Sequence, residues 1–294
     1  MKKRNLLLAT ALLSVGGVFA QTLPDGMTAL LPSGVTPNIT QDKKFIMQKN
    51  LTVAGSPEKG YYAFFSAADS DHGEELWVTD GTPEGTRMVK DINPGVATSD
   101  VNYLTRFNDK VVFSADNGED GYQLWISDGT EEGTRMVKKI HEFDSSNPIG
   151  FCQMNETQFI FFASDYESEN FSSEGAQKWL YVSDGTEEGT KLVAQVDCQF
   201  PGEDHDHRYG AVMRVGRKVF FKGDVADKTG TTYGLELWVT DGTTEGTYMV
   251  KDINLEKNVN KEGSTLSSAI NRMQNFYNEG LFFKAWDEEH GNEP

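Results

Sequence analysis

One stretch constrains this chain more than any other. Glu75-Leu76-Trp77-Val78-Thr79-Asp80-Gly81-Thr82-Pro83-Glu84-Gly85-Thr86 returns three more times. The later copies are Leu124-Trp125-Ile126-Ser127-Asp128-Gly129-Thr130 with Gly133-Thr134, Leu180-Tyr181-Val182-Ser183-Asp184-Gly185-Thr186 with Gly189-Thr190, and Leu237-Trp238-Val239-Thr240-Asp241-Gly242-Thr243 with Gly246-Thr247. The aspartates lie 48, 56 and 57 residues apart. A period in this range marks a stacked or closed repeat architecture, in which each unit buries its faces against its neighbours.

Each repeat divides into four short runs. The first is weakly marked, as at Leu104–Phe107, Cys152–Met154, Val212–Val215 and Ile270–Met273. The second is rich in aromatic and β-branched residues: Tyr61–Phe65, Lys110–Phe113, Phe159–Phe162, Lys218–Phe221 and Leu281–Phe283. The third begins at the Leu-Trp pair, and the fourth spans 87–92, 135–140, 191–196 and 248–253. No stretch keeps a helical period over ten residues, and the composition of the runs is that of strands. The expected fold is all-β, a β-propeller built of four-stranded blades, with four recognisable units plus a truncated fifth. Side chains alternate along a strand, so Phe64-Phe65, Phe161-Phe162, Phe220-Phe221 and Phe282-Phe283 place one ring on each face. Both faces of such a sheet need cover.

The expected organisation is a signal peptide at 1–20, an extended lead-in at 21–44 and repeats over 45–294. The units fall near 45–95, 101–143, 150–197, 210–255 and, incomplete, 268–294. A short strand is expected near Thr28–Leu31 in the lead-in, and a first repeat strand over 45–53. In the fifth unit Pro294 stands where Leu76 stands in the first, so its third and fourth strands are expected to be missing. Truncation of a longer product, or filling of the gap by the N-terminal segment, would account for this.

The recurrent turn has its own chemistry. Asp80 can accept hydrogen bonds from backbone N–H groups just ahead of it, as in an Asx-turn. Thr82–Gly85 fits a type I turn, with Pro83 in second place. Gly85 is expected in the left-handed conformation before the next strand. The same roles pass to Asp128 and Gly133, Asp184 and Gly189, and Asp241 and Gly246. A turn present in every repeat reads as scaffold rather than as a ligand loop.

The N-terminus carries Lys2, Lys3 and Arg4, then an apolar run from Leu6 to Val18 and a Val18-Phe19-Ala20 end ahead of Gln21. This is the pattern of a cleaved export signal and implies a periplasmic or extracellular product without membrane insertion. The 27 Lys and Arg against 45 Asp and Glu give a net charge of −18, and loss of the leader deepens it by three. Such a surface repels nucleic-acid phosphates. Export permits a disulfide between the two cysteines, Cys152 and Cys198, and that bridge is expected here.

The loops ahead of each third strand are acidic. Asp69, Asp71 and Glu74 form the tightest group, and Asp116 and Asp120 a second. Clustered oxygens suit a hard cation, so these five are candidate calcium ligands, although no EF-hand spacing is present. Solvent-facing acids are the alternative. Asp204-His205-Asp206-His207 is a further candidate for a transition metal or an acid–base pair. No nucleophile elbow, phosphate-binding glycine loop or H-E-x-x-H motif occurs. Paired acids for glycoside cleavage depend on distances that a sequence does not display.

The runs at 75–92 and 236–253 resemble the ELWxxDGTxxGT repeat of secreted bacterial proteins. The resemblance covers residues 60–294 and implies a propeller-like fold and export. It carries no catalytic residue. The third unit departs from it, with Tyr181 at the Trp position. The leading functional expectation is a binding or scaffold module for a glycan or a surface protein, leaning away from an enzyme. The alternatives are a polysaccharide-active hydrolase or lyase, for which the loop acids and Tyr166, Tyr209, Tyr233 and Tyr277 speak, and a calcium-stiffened surface protein.

Overall fold

The computed structural model describes residues 35–37, 51–142, 145–164, 178–196, 198, 212–225, 234–256 and 266–294. In the first sheet β1 (Thr36–Pro37) and β2 (Leu51–Ser56) both pair with β3 (Gly60–Ala68), which leads to β4 (Glu75–Thr79) and β5 (Arg87–Lys90). The second sheet is β6 (Asn102–Phe107), β7 (Lys110–Asp116), β8 (Tyr122–Ser127) and β9 (Arg135–Lys138). The third is β10 (Ile149–Gln153), β11 (Phe159–Ala163), β12 (Trp179–Ser183) and β13 (Lys191–Ala194). The fourth is β14 (Val212–Val215), β15 (Lys218–Gly223), β16 (Glu236–Thr240) and β17 (Tyr248–Lys251). The fifth has β18 (Asn271–Phe276), β19 (Gly280–Asp287) and β20 (Gly291–Glu293). All neighbours are antiparallel. The fold is all-β: a propeller-like repeat of four units and a partial fifth.

The first strands β2, β6, β10, β14 and β18 neighbour one another in that order, so the sheets stack around a common axis with these strands innermost. The alternation of side chains then fills the spaces between sheets. Phe64, Leu76 and Val78 join Val111, Phe113 and Trp125 in the core between the first two sheets. Phe65 and Trp77 point the other way and are covered by Val35, Leu51 and Met88. Phe161 faces Phe107, Val112 and Leu124 of the second sheet, while Phe162 meets Phe221 of the fourth edge-to-face at 5.2 Å. Each fully buried ring stabilises the fold by roughly 1.5–3 kcal/mol. Tyr181 keeps the place of the tryptophan in the third sheet: it stacks on Phe161 at 5.4 Å, as Trp125 does on Phe113 at 6.5 Å. Its divergence therefore leaves the packing intact.

Two sets of polar contacts fasten each sheet to the next. Arg87 Nη2 donates to the Gly129 carbonyl at 2.6 Å and Lys90 Nζ to the Thr134 carbonyl at 3.1 Å. Arg135 and Lys138 repeat this on Gly185 and Thr190 at 2.7 and 3.1 Å. Ala194 stands where Lys90 and Lys138 stand, and there Thr244 Oγ1 donates to the Val193 carbonyl instead. At the opposite end of the sheets, backbone N–H groups of Ser99, Ser146, Cys198 and Ser268 donate to the carbonyls of Glu74, Tyr122, Lys178 and Leu235. Each of these donors is buried.

That last set corrects the expected disulfide. Cys152 and Cys198 do not bridge. Cys152 lies on β10, one edge of the third sheet, and Cys198 holds the buried staple position beside the start of β12, two strands away. At roughly 4.8 Å per strand the separation exceeds the ~7 Å that a disulfide spans between Cα atoms. Cys198 replaces a serine of the repeat rather than a member of a bridge.

Other expectations shift at their edges. The lead-in supplies β1, which pairs through Thr36 with Ala68 and Pro37 with Ala67, end to end with β2 along the same side of β3. The first repeat strand starts at Leu51 among the described residues, and the 1–34 and 38–50 segments, with the leader and the Thr28–Leu31 strand, lie outside them. The fifth sheet has begun a third strand, β20, in which Gly291 pairs with Asp287 of β19 across a tight hairpin.

Candidate functional site

Antiparallel meanders place the connections at two ends. The first-to-second and third-to-fourth hairpins share one end, here the turn face. The second-to-third loops and the links between sheets share the other, the loop face.

The recurrent turn occupies the turn face. Asp80 Oδ1 accepts the Thr82 N–H at 2.9 Å and the Thr82 hydroxyl at 2.6 Å. Thr82 Oγ1 in turn accepts the Gly85 N–H at 3.0 Å, and the Thr86 N–H closes on the Pro83 carbonyl. Asp128, Asp184 and Asp241 accept the same pair from Thr130, Thr186 and Thr243. The backbone closure thus lies one residue later than the type I turn expected at 82–85. The two glycines also exchange roles. Gly81, Gly129, Gly185 and Gly242 adopt the left-handed conformation, with φ of 86–89°. Gly85, Gly133, Gly189 and Gly246 do not; there a Cβ would stand 2.0–2.1 Å from the aspartate Oδ1. The second glycine is needed for close approach of the carboxylate. A cleft of about 380 Å³ opens between the first two sheets here, lined by Lys59, Tyr62, Arg87, Asp109 and Asp128. Its charges face one another: Lys59 pairs with Asp109, and Arg87 with the Gly129 carbonyl.

On the loop face the acidic loops fold around their own carboxylates. Asp69 Oδ1 accepts the Asp71 and His72 N–H groups at 2.9 and 2.8 Å and meets the His72 ring. The Asp71 N–H bond holds the Asp69 pKa below the usual carboxylate value, and the Asp69 contact raises that of His72. Glu74 accepts the Ser66 hydroxyl, Asp116 Oδ1 accepts the Gly118 N–H at 2.8 Å, and Asp120 binds Lys139. The five proposed calcium ligands thus share a face, but they are distributed over two loops. Among the described residues no three His, Cys, Asp or Glu side chains gather to hold a metal ion. The 204–207 cluster, Tyr166, Tyr209 and Tyr233 lie outside the described residues, and Tyr277 stands on the turn face.

The loop face also brings together three residues that the repeat pattern does not single out. The Tyr122 hydroxyl donates to Asp100 Oδ2 at 2.7 Å, and Tyr103 lies beside the same carboxylate. Burial, then the Asp100 bond, pushes the Tyr122 pKa up and keeps its hydroxyl a donor; Asp116 and Glu74 act on it in the same sense. Burial, then Asp100, likewise raises Tyr103. Asp100 and Tyr103 hold φ of 46° and 58°. Tyr103 sits in a bulge of β6, where the register slips between Asn102 and Thr105. The third sheet repeats this bulge with Gly150, φ 65°. A tyrosine at a glycine position costs about 1–2 kcal/mol, and such strain concentrates at functional sites. The ring is 39% exposed at the mouth of the axis. The signal in the sequence is departure from the repeat: Tyr103 stands where Gly150 does, and Tyr122 where Glu74 does.

No family model matches the chain, and no curated relative matches its sequence. Solved structures do. A puromycin hydrolase matches with a TM-score of 0.42 at 13% identity over 81% of this chain and 33% of its own, so the chain spans a third of that protein. The α-L-arabinofuranosidase of Podospora anserina, in complex with cellotriose, matches at a TM-score of 0.36 and 11% identity, over 83% and 86%. The endo-arabinase of Bacteroides thetaiotaomicron matches at 0.32 and 10%, over 84% and 92%. The expectation leaned away from an enzyme, whereas the matched proteins are enzymes. At TM-scores of 0.42 and below no residue role passes from them to this chain. No helix among the described residues is long and apolar enough to cross a membrane.

Proposed function

We propose that the loop face at the junction of the first two sheets binds and hydrolyses a polysaccharide outside the cytoplasm, after export by the 1–20 leader. The observation that carries this reading is the Asp100 carboxylate, fixed by the Tyr122 hydroxyl beside the strained, half-exposed Tyr103 ring. An aromatic face packs on the C–H surface of a sugar ring, and fixed carboxylates accept its hydroxyls. Glycoside cleavage needs two carboxyl groups across the scissile bond. Asp100 is the first, and Glu74 and Asp116, which both bear electrostatically on Tyr122, are the candidates for the second.

The test is release of reducing ends from a panel of neutral polysaccharides by the chain without its leader. Asp100→Asn is expected to lower kcat by ~100-fold or more, the scale of a lost acid or base. Tyr103→Gly keeps the backbone that Gly150 adopts and is expected to raise KM without lowering the melting temperature. No product on any substrate, or full turnover by Asp100→Asn, overturns the reading.

A further inference from the structure

The second, third and fourth sheets each cover the outer face of the sheet before them in the same way. The glycine of the D-G-T turn seats against a side chain of that face. A Cβ on Gly129 would stand 3.3 Å from Phe64, on Gly185 2.8 Å from Ile126, and on Gly242 3.2 Å from Met154. The strand beside the turn covers the rest, so that Phe64, Val112 and Ile160, which share one position of the repeat, are at most 1% exposed.

The row of sheets has two ends, because β2 neighbours β6 alone of the first strands and β18 neighbours β14. In the fifth sheet Phe282 takes the Phe64 position, and Phe276 takes that of Phe107 at the end of the first strand. Leu281, Phe283 and Ala285 pack on the fourth sheet, and Phe282 alternates to the opposite face. Phe276 and Phe282 meet edge-to-face at 5.4 Å and are 48% and 59% exposed, with the exposed Tyr277 ring 4.9 Å from Phe276. Contiguous exposed rings of this kind mark a contact surface.

The first sheet shows the counterpart. Gly81 in its D-G-T turn is exposed, whereas Gly129 and Gly185 are buried. Val53 is registered with Ala63, and Tyr61 lies two residues from Ala63 along β3, so both share the face of Phe65 that points away from the second sheet. Val53 and Tyr61 are exposed, while Phe65 and Trp77 further along that face are covered. At both ends the uncovered apolar area therefore lies in the half of the sheet nearest the turn face.

We propose that copies of this chain associate head to tail, the fifth sheet of one receiving the first sheet of the next, with the Gly81 turn seated on Phe282 as Gly129 is on Phe64. The contact continues the row of inter-sheet interfaces from one molecule into another. It joins two different surfaces, so it propagates into a ring or a filament instead of stopping at a pair. It uses the turn-face half of the end sheets and leaves Asp100 on the loop face free, so it is independent of the polysaccharide reading. The net charge of −18 makes copies repel, and salt screens that repulsion.

Sedimentation velocity of the chain without its leader, from about 1 to about 200 µM in about 0.5 M salt, tests it. The wild type should pass from monomer to species larger than a dimer as concentration rises. Phe282→Lys charges one surface and Tyr61→Lys the other, both at exposed positions, and each variant alone should stay monomeric. An equimolar mixture of the two should form a one-to-one dimer, because one variant keeps the fifth-sheet surface and the other the first-sheet surface. A wild type that stays monomeric at about 200 µM, self-association of either variant equal to that of the wild type, or a mixture that stays monomeric overturns the proposal.

Discussion

The aspartate and second glycine of each turn form one unit, because the carboxylate lies where a Cβ would be. In Gly133→Ala the new atom would stand 2.0 Å from Asp128 Oδ1 and break the contacts to Thr130. The expected loss is about 2 kcal/mol in a urea melt, a size tied to lost turn bonds and local strain. The Thr186 and Thr243 hydroxyl bonds hold Asp184 and Asp241 below the usual 3.8, so these turns add stability that is present above that pH and lost as pH falls through their folded values. Glu75, raised to about 7 chiefly by burial, acts in the opposite direction, as Glu236 does. Stability should therefore peak at about pH 4, between these two windows, measured as Tm across pH 3–9. The pairing of aspartate and glycine was legible in the repeat. The sign of φ was not, since D-G-T and the later glycine are equally permissive as letters, and only the carboxylate's position distinguishes them.

Between strands, the alternation of rings sets both sheet faces. Phe113 is wholly buried between the first two sheets, and Phe113→Ala is expected to cost about 3–5 kcal/mol by calorimetry or urea melt. Arg135→Ala, which loses the donor to the Gly185 carbonyl, should cost only about 1 kcal/mol. The strands were legible because β-branched and aromatic runs recur with the turn. The Val212–Val215 strand falls where its residues predict it. Strand β1 was not legible: Thr36–Pro37 is too short to carry a pattern and pairs only because β3 extends past β2. The disulfide failed for a related reason. A separation close to one repeat says nothing of where across the sheet each cysteine lies, and Cys198 stands in a serine position visible only through its backbone bond to Lys178.

At the scale of the molecule, the stacked sheets deliver the links between them to one face, and the departures from the repeat mark the candidate site there. Asp100 lies in a link whose counterparts are Asn147 and Ala269, so periodicity hides it. Of the acids that stood out by clustering, Asp69 folds its own loop and Asp120 binds Lys139. Hydroxyl-radical footprinting of the chain with and without its polysaccharide tests this placement most directly. Tyr103 on the loop face and Tyr62 on the turn face are each 39% exposed, so each controls for the other. The account predicts that bound polysaccharide slows oxidation of Tyr103 several-fold, on the scale of a covered aromatic ring, and leaves Tyr62 unchanged. Protection of Tyr62 with Tyr103 unaffected would contradict it.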